Sequence, residues 1–250
     1  MRVDLNADIG EFASVDHGGN DERLLRTITS CNIACGFHAG DPAVMRHTVR
    51  MAARAGVAIG AHPSFRDTVG FGRREANLEP SEITALVVQQ IEALATIATS
   101  EGAALRHVKP HGALYNMSAR RDDIGEAVAR AVASFDAALV VVGLPQSALL
   151  AAASRFGLAV AAEAFVDRLY EPDGKLTPRH IRGAVLSEPD GAAERAVRMV
   201  RDGRVVARDG SSLSIKVDTI CVHSDTPGAA ELAVAVREGL ERAGVELKAL

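Results

Sequence analysis

The stretch SCNIACGFHAGDPAVMRHTVRMAARAGVAIGAHP, residues 30–63, contains a complete strand–helix–strand pattern. Two short runs rich in apolar residues, 30–35 and 57–63, enclose a segment with helical periodicity that begins with Asp-Pro and ends with Gly. Asp before Pro is typical of a helix N-cap followed by the first helical residue, and Gly is typical just past a helix end. The stretch therefore predicts a βαβ unit with parallel strands.

The same alternation of strand-like and helical patterns recurs along the whole chain. Several of the strand-like runs are apolar on both faces, as in a parallel sheet that is covered by helices. Because no Pro/Ser-rich linker and no shift of composition divides the chain, we predict a single α/β domain over residues 1–250. The predicted strands are 2–8, 30–35, 57–63, 106–112, 138–143, 158–166 and 218–224.

The composition argues against several classes of function. The net charge is -4 and no basic stripe is present, which disfavours binding of nucleic acid. No uninterrupted apolar run approaches the roughly 20 residues of a membrane helix, and the N-terminus does not have the pattern of a signal peptide. Three cysteines are too few, and odd in number, for a secreted disulfide scaffold. We therefore expect a cytoplasmic enzyme or binding protein.

Two long segments without helical or strand patterns interrupt the alternation, residues 64–78 and 167–183. Loops of this length in a compact domain usually carry function or cover a site. A third irregular stretch, 204–217, has an Asp-Gly turn between two β-prone runs and predicts a small hairpin.

Polar and ionisable residues gather at or just beyond the ends of the predicted strands. Parallel α/β folds place their sites where the carboxyl ends of the strands converge, so we expect these side chains to surround one site. A single histidine at a strand end is as often structural as functional, but four strand ends that each carry one are not expected by chance. The residues are Asn6, Asp8, Glu11, Asn32, His38, His62, Lys109, His111, Glu163, Asp167, Asp218, His223 and Asp225.

The group Cys31, Cys35 and His38 has three interpretations. A zinc site would need a second pair of ligands, and the chain has no CxxC pair to supply it. A redox loop is disfavoured because the spacing of Cys31 and Cys35 is not that of a CxxC pair. The third interpretation, which we favour, is the rim of an active site, where two glycines allow His38 to point inward and both cysteines are buried.

The segment KPHGALYN, 109–116, holds one of only four lysines in the chain. Lys109 either acts in the site or forms a salt bridge with a strand-end carboxylate such as Asp8. Nucleotide-binding patterns are absent, because the chain has no GxxxxGK[ST] and the GFG at 70–72 does not follow a strand. A serine hydrolase is disfavoured, because no Ser lies in a GxSxG pattern.

Six long segments together resemble the LamB/YcsF family. The resemblance implies a single-domain, seven-stranded parallel β/α barrel that is TIM-like and of the glycoside hydrolase/deacetylase type. It also implies a hydrolase that cleaves 5-oxo-L-proline to L-glutamate, coupled to ATP hydrolysis, together with two partner subunits, B and C. The segments are DLNADIGE (4–11), NIACGFHAGDP (32–42), IGAHPSFRD (59–67) with GFGRR (70–74), KPHGALYN (109–116), AEAFVDRLYEPDGKLTPR (162–179) and ICVHSDTPGA (220–229).

Fourteen residues match the motifs of the family, and we divide them by expected role. Those expected to act in catalysis are Asp8, His38, His62, Lys109 and His111. Those expected to bind substrate are Asn6, Glu11, Asn32, Arg66, Glu163, Asp167, Arg168, His223 and Asp225.

A lactam resists hydrolysis because its amide is resonance-stabilised, and phosphorylation of the amide oxygen by ATP would activate the ring carbon. Since the chain has no P-loop, we expect the ATP-dependent step to be carried out mainly by the partner subunits and the ring-opening step by this chain. Asp8 or one of the histidines would act as general base, and another would protonate the nitrogen. Lys109 and Arg168 would hold the substrate carboxylate or the phosphate charge, while residues 167–183 would close over the site.

Three questions stay open at this point. Asp8, His38, His62 and His111 could hold a divalent metal ion or could form a metal-free acid/base cluster. The chain could also be a stand-alone metal-dependent amidase or deacetylase, or a non-catalytic subunit that binds the substrate. The sequence leaves the oligomeric state open, and a homo-oligomer is one of the alternatives.

Overall fold

The computed structural model describes residues 1–12 and 19–250, and within them seven parallel strands form a closed barrel. In chain order, each of the seven strands pairs with the next, and the seventh also pairs with the first to close the barrel. The predicted seven-stranded barrel is therefore confirmed. The strands are β1 (Arg2–Ile9), β2 (Ser30–Ala34), β3 (Ala58–His62), β4 (Leu105–Val108), β5 (Val140–Gly143), β6 (Val160–Phe165) and β9 (Thr219–His223).

Helices of the described residues surround the barrel. The N-cap of α2 is Asp41, as predicted, and its carboxylate accepts hydrogen bonds of 2.8 Å from the amides of Ala43 and Val44. The helices are α1 (Gly19–Leu25), α2 (Pro42–Ala55), α3 (Pro80–Ser100), α4 (Gly112–Arg120), α5 (Asp122–Phe135), α6 (Ala148–Arg155), α7 (Pro189–Asp202) and α8 (Ala229–Arg242).

Helix α4 is absent from the sequence-based prediction, and β4 is shorter than predicted. The strand ends at Val108, so Lys109 and His111 lie in the short connection between β4 and α4. The N-cap of α4 is His111, whose side chain makes no capping hydrogen bond. The usual start signal of a helix is therefore missing from the sequence.

Two small elements complete the described structure. Strands β7 (Arg204–Val206) and β8 (Ser212–Ser214) pair antiparallel and confirm the predicted hairpin. Strand β10 (Glu246–Leu247) pairs in parallel with the start of β1.

Helix α3 is long and apolar enough to cross a membrane by length and composition alone. Its side chains Ile83, Val87, Ile91 and Leu94 are fully buried, and the helix packs against α5 and β3. Its apolar residues therefore serve the core between the barrel and the outer helices.

The predicted long loops are confirmed as the connections 63–79, after β3, and 166–188, after β6. Both follow the carboxyl end of a strand and so lie at the mouth of the barrel. In the second loop, Tyr170 forms isolated bridges with Leu176 and with Ala207 beside the hairpin. This loop is therefore packed against the rest of the mouth.

Candidate active site

The interior of the barrel is polar, because β1 turns its carboxylates and amide inward. Asp4, Asn6 and Asp8 make buried side-chain hydrogen bonds across the barrel, while Leu5 and Ala7 between them belong to the apolar core. Asp4 accepts hydrogen bonds from hydroxyl groups of three neighbouring strands or turns. The alternation DLNAD thus builds polar layers that rise towards the mouth.

Lys109 occupies the centre of the upper layers and is only 3% exposed in its side chain. Its Nζ lies 2.9 Å from Asp8 Oδ1 and 2.8 Å from Glu163 Oε1, and 3.1 Å from Cys221 Sγ. Burial alone would lower the pKa of Lys109, but the charges around it, first that of Asp8, hold its pKa well above the ordinary value. Of the two alternatives for Lys109, the salt bridge with Asp8 is present in the structure.

Asp8 stays ionised for a matching reason. Burial alone would raise the pKa of Asp8, but the contacts with His62 and with the Lys109 ammonium hold it well below the ordinary range. The amide of Asn32 donates to Asp8 Oδ1 at 2.9 Å, and the other oxygen, Oδ2, lies 3.5 Å from His62 Nε2. One face of this carboxylate is thus fixed by the protein and the other meets the histidines.

His62 and His111 present two ring nitrogens to each other. His62 Nδ1 lies 2.7 Å from the carbonyl oxygen of Lys109, and His111 Nε2 lies 2.9 Å from that of Phe71. Because a carbonyl can only accept a hydrogen bond, both of these nitrogens carry the proton in the neutral rings. The lone pairs are then on His62 Nε2 and His111 Nδ1, which are 3.0 Å apart. Such a pair can hold a proton, a water hydrogen or a metal ion.

Glu11 and His38 form the back of this cluster. Glu11 Oε1 lies 2.9 Å from His38 Nε2, 3.2 Å from His111 Nδ1 and 3.9 Å from His62 Nε2. Burial and the negative charge of Asp8 raise the pKa of Glu11 to about 7. Burial lowers the pKa of His38 to about 4 and that of His111 well below the ordinary value. The imidazoles of His38 and His111 are therefore neutral at physiological pH. Glu11 gains or loses its proton close to that pH.

The GFG segment at 70–72 forms a wall of the histidine cluster. Phe71 has a φ of 54°, and its ring meets His38 and His111 edge to face at 5.5 and 5.3 Å. A Cβ on Gly72 would lie 2.1 Å from Ser64 Oγ, and one on Gly112 would lie 2.5 Å from the Gly72 carbonyl oxygen. Both glycines are required for the loop to pack this closely.

The cluster has the donor set that a divalent metal ion takes. Three groups of side chains bring their ligand atoms within 4.8 Å of one another: Asp8, His62 and His111; Glu11, His38 and His111; and Asp8, Cys221 and His223. In the first group, both histidines are oriented by hydrogen bonds from their other nitrogen, as metal-ligating histidines are. Asp8, His62 and His111 therefore fit a metal ion best, with Glu11 beside them.

A fourth histidine, His223, lies on another side of the mouth. Its Nδ1 lies 2.9 Å from Asp167 Oδ2, which also accepts from the hydroxyl of Thr226 at 2.8 Å and from the amide of His223. The ring stacks on Phe165 with centroids 5.1 Å apart. Burial alone would raise the pKa of Asp167, but His223 and these hydrogen bonds lower it. Asp167 therefore fixes the orientation of the imidazole, whose ring lines the cavity.

A cavity of about 1290 Å³ opens above these groups. Four of the five residues expected in catalysis line it, namely Asp8, His62, Lys109 and His111, whereas His38 lies behind them. Its outer part is lined by residues of the 63–79 and 166–188 connections, of α4 and of the hairpin. The predicted convergence of the strand ends on one site is thus seen in the structure.

Several residues expected to bind substrate lie elsewhere than expected. Asn6, Asn32 and Glu163 are at most 2% exposed and lie beneath the cavity, where they hold Lys109 and Asp8. Arg66 is exposed and does not line the cavity, because its guanidinium stacks over the ring of Phe37 at 3.8 Å. Asp225 is at the rim, where it pairs with two arginines.

Asp218 also differs from the strand-end prediction, because it precedes β9 and lies at the opposite end of the barrel from the mouth. Its carboxylate accepts from the amide of Ala162 at 2.9 Å, which is a structural role. The zinc and redox interpretations of Cys31 and Cys35 are not supported, since both thiols are free and buried and neither is in a metal-capable group of the described residues. Burial raises the pKa of the Cys35 thiol to about 12.

The sequence analysis missed two buried residues of the site. His107 lies inside the barrel and its Nε2 meets Asn32 Oδ1 at 2.8 Å. A Cβ on Gly60 would lie 2.1 Å from this nitrogen, so the glycine in the neighbouring strand was the available signal. Tyr115 donates to Glu163 Oε2 at 2.9 Å from the unpredicted helix α4.

The comparisons with known proteins agree with this architecture. The chain is 53% identical to the A subunit of 5-oxoprolinase from Chloroflexus aggregans, over 99% of this chain and 98% of the relative. It is 52% identical to the protein of the same name from Heliobacterium modesticaldum, over 100% and 98% of the two chains. The crystal structure of a lactam utilization protein from Thermus thermophilus matches with a TM-score of 0.93 and 47% identity, covering 100% of each chain. The model of the LamB/YcsF family matches residues 3–250, and the chain belongs to that family.

Proposed function

We propose that this chain opens the ring of 5-oxo-L-proline to give L-glutamate, in a reaction coupled to ATP hydrolysis and shared with two partner subunits, B and C. The observation that carries the proposal is the pair of facing ring nitrogens of His62 and His111, which lie beside two carboxylates at the floor of a cavity. The names of the similar proteins, a 5-oxoprolinase component and a lactam utilization protein, support the choice of substrate.

The division of labour follows from the motifs of the chain. Phosphorylation of the amide oxygen would remove the resonance that protects a lactam and make its ring carbon open to attack by water. The chain has no P-loop, so the proposal gives ATP binding mainly to the partner subunits and hydrolysis to this chain. Free, buried cysteines suit the cytoplasmic location that the proposal includes.

The general base of the proposal is the His62–His111 pair. Water that donates a hydrogen bond to these lone pairs can pass its proton to them while its oxygen bonds to the ring carbon. Glu11, 3.2 Å from His111, can take up that proton, since its pKa of about 7 lies near the working pH. Because His111 is neutral at this pH, its Nδ1 can accept a proton.

Cleavage of the bond between the ring carbon and nitrogen leaves an acyl phosphate, which a second water hydrolyses to glutamate and inorganic phosphate. The departing nitrogen needs a proton when that bond breaks. His223 can supply it, because Asp167 holds one ring nitrogen and the ring borders the cavity near Asp8. Lys109 has protein atoms around its ammonium, so the proposal gives it the role of keeping Asp8 ionised and in place. This role replaces the direct contact with substrate that the sequence suggested.

A divalent ion on Asp8, His62 and His111 would add Lewis-acid activation of a water or a carbonyl oxygen. In that case the lone pairs of His62 and His111 would hold the ion, so Glu11 would be the proton acceptor, while His223 would stay the proton donor. The proposal includes the metal ion only because the side chains of Asp8, His62 and His111 suit one.

The test is the release of glutamate from 5-oxoproline with the chain, the two partner subunits and ATP, omitting one component at a time. Release that needs all of them supports the proposal. Release by the chain alone that a chelator stops would make it a stand-alone metal-dependent amidase. Release by the partners and ATP without the chain would refute the proposal.

A further inference from the structure

A cluster of arginines on the cavity wall is not used by the hydrolytic chemistry above. Arg168 lines the cavity and is 7% exposed. Its guanidinium donates through Nη2 to the carbonyl oxygen of Thr177 at 2.6 Å, while its Nε is buried without a hydrogen-bond partner among the described residues. A buried guanidinium with an unused donor is costly unless a ligand completes it.

Two more arginines, Arg73 and Arg179, line the same part of the cavity. Both pair with Asp225, Arg179 at 3.3 Å, so one carboxylate serves two guanidinium groups. Burial and the positive charges of Arg179 and Arg73 lower the pKa of Arg168 to about 10. The like charges are thus close enough to affect one another, and an anion placed among them would be attracted by all three.

The other acidic side chains of this wall do not neutralise the cluster. Glu75 pairs with Arg120. Glu171 pairs with Arg208 at 3.0 Å, and Asp173 pairs with Lys175. Asp167 beneath Arg168 is already bound by His223. The described residues therefore leave a local excess of positive charge at the cavity wall.

The volume of the cavity also exceeds what a lactam needs. Pockets for drug-sized ligands hold roughly 300–1,000 Å³, whereas this one measures about 1290 Å³. A five-membered lactam over His62 and His111 would fill only a small part of it, which leaves room for an anionic group beside the arginines.

We propose that Arg168, with Arg73 and Arg179, forms an oxyanion-binding subsite that takes the carboxylate or a phosphoryl group of the substrate. Guanidinium groups suit both anions, because their planar set of donors matches two oxygens at once. The inference rests on the proposed function for the identity of the substrate. It does not depend on that function for the binding of a simple oxyanion.

The test uses the chain alone and inorganic phosphate as the probe, with affinity measured by calorimetric titration. Arg168→Met should weaken phosphate binding by about ten- to a hundred-fold, since it removes a charged donor pair. The matched control is Arg195→Met, because Arg195 is also partly buried and donates to one carbonyl oxygen, that of Val166 at 2.7 Å, but lies off the cavity wall. It should bind phosphate as the wild-type chain does.

A second variant guards against misfolding of the first. Arg179→Met changes a partly exposed rim residue and should weaken phosphate binding by about three-fold, as expected for a more solvated pair. Equal affinity of the wild-type, Arg168→Met and Arg179→Met chains, or no saturable binding to the wild-type chain, would overturn the inference.

Competition identifies which anion uses the subsite. If 5-oxoproline displaces phosphate and 2-pyrrolidinone, which has no carboxylate, does not, the subsite takes the carboxylate. If phosphate and 5-oxoproline bind together, it takes a phosphoryl group. Neither arm involves turnover, so failure of the glutamate-release test would leave this result standing.

Discussion

Replacement of Lys109 by Met should destabilise the barrel by about 3–5 kcal/mol, because it leaves two buried carboxylates without their cation. The ammonium lies 2.9 Å from Asp8 and 2.8 Å from Glu163, and the three side chains are 3%, 4% and 0% exposed. Neither carboxylate can turn to water. For a chain of this size, such a loss corresponds to a fall in Tm of roughly 6–20 °C.

The matched control is Lys216→Met. Lys216 also pairs with a carboxylate at 2.9 Å, that of Asp218, but its side chain is 71% exposed. Exposed pairs of this kind contribute less than about 1 kcal/mol. Urea unfolding of both variants, followed by far-UV circular dichroism, measures the free energies of unfolding. A Lys109→Met variant within about 1 kcal/mol of Lys216→Met would refute the reasoning that burial makes this ammonium essential.

The pH dependence gives the sign of the same effect. In the folded wild-type chain the pKa of Asp8 is lowered, so the stabilisation is present above the unfolded value of 3.8 and is lost as the pH falls through the folded value. Without Lys109, Asp8 loses one of the two groups that lower its pKa and keeps its proton to higher pH. The deficit of Lys109→Met should therefore be smaller at pH 5 than at pH 8.

Three further outcomes are expected. Gly60→Ala should lower the free energy of unfolding by about 1–3 kcal/mol, since its Cβ would lie 2.1 Å from His107 Nε2. The control is Gly191→Ala in a helix, where the nearest atom is 3.9 Å from the added Cβ. It should be neutral or stabilising by up to about 1 kcal/mol in the same urea assay. Burial raises the pKa of Asp21 to about 7, so its protonated carboxyl contributes stability that is full below the unfolded pKa and is lost as the pH rises to about 7. Asp21→Asn should therefore reduce the fall in the free energy of unfolding between pH 5 and 8 by up to roughly 3 kcal/mol. An unchanged dependence on pH would contradict this. The three cysteines are buried and should not react with a thiol reagent in the native chain but should react in full after denaturation; rapid native labelling would show that the barrel opens.

The strands of this fold could be predicted because each leaves a local pattern. Runs such as VDLNADI and CNIA are short, apolar on the outward side and bounded by caps and glycines, and every predicted strand is present within a few residues. Helix α4 could not be predicted, because the side chain of its N-cap residue, His111, makes no capping hydrogen bond and because the helix closely follows a short strand.

The candidate site could be predicted as a set of residues but not as a geometry. The alternation of Asp4, Asn6 and Asp8 shows which side chains share a face, yet only the closed barrel shows that Asn6 lies beneath the cavity and Asp8 at its floor. Glu11 follows β1 in the sequence, and nothing local reveals that its carboxylate meets the histidines of two other connections. These contacts depend on long-range packing, which the spacing of residues does not contain.

The most direct test of the central account is the rate of glutamate release from 5-oxoproline by His111→Ala, with ATP and both partner subunits present. The control is His47→Ala, which removes a half-buried histidine of helix α2 away from the cavity. The account predicts a fall of about 10²–10⁴-fold for His111→Ala, with folding and oxyanion binding retained, and no change for His47→Ala. A His111→Ala rate within about three-fold of the wild-type rate would contradict the assignment of the hydrolytic base to this cluster.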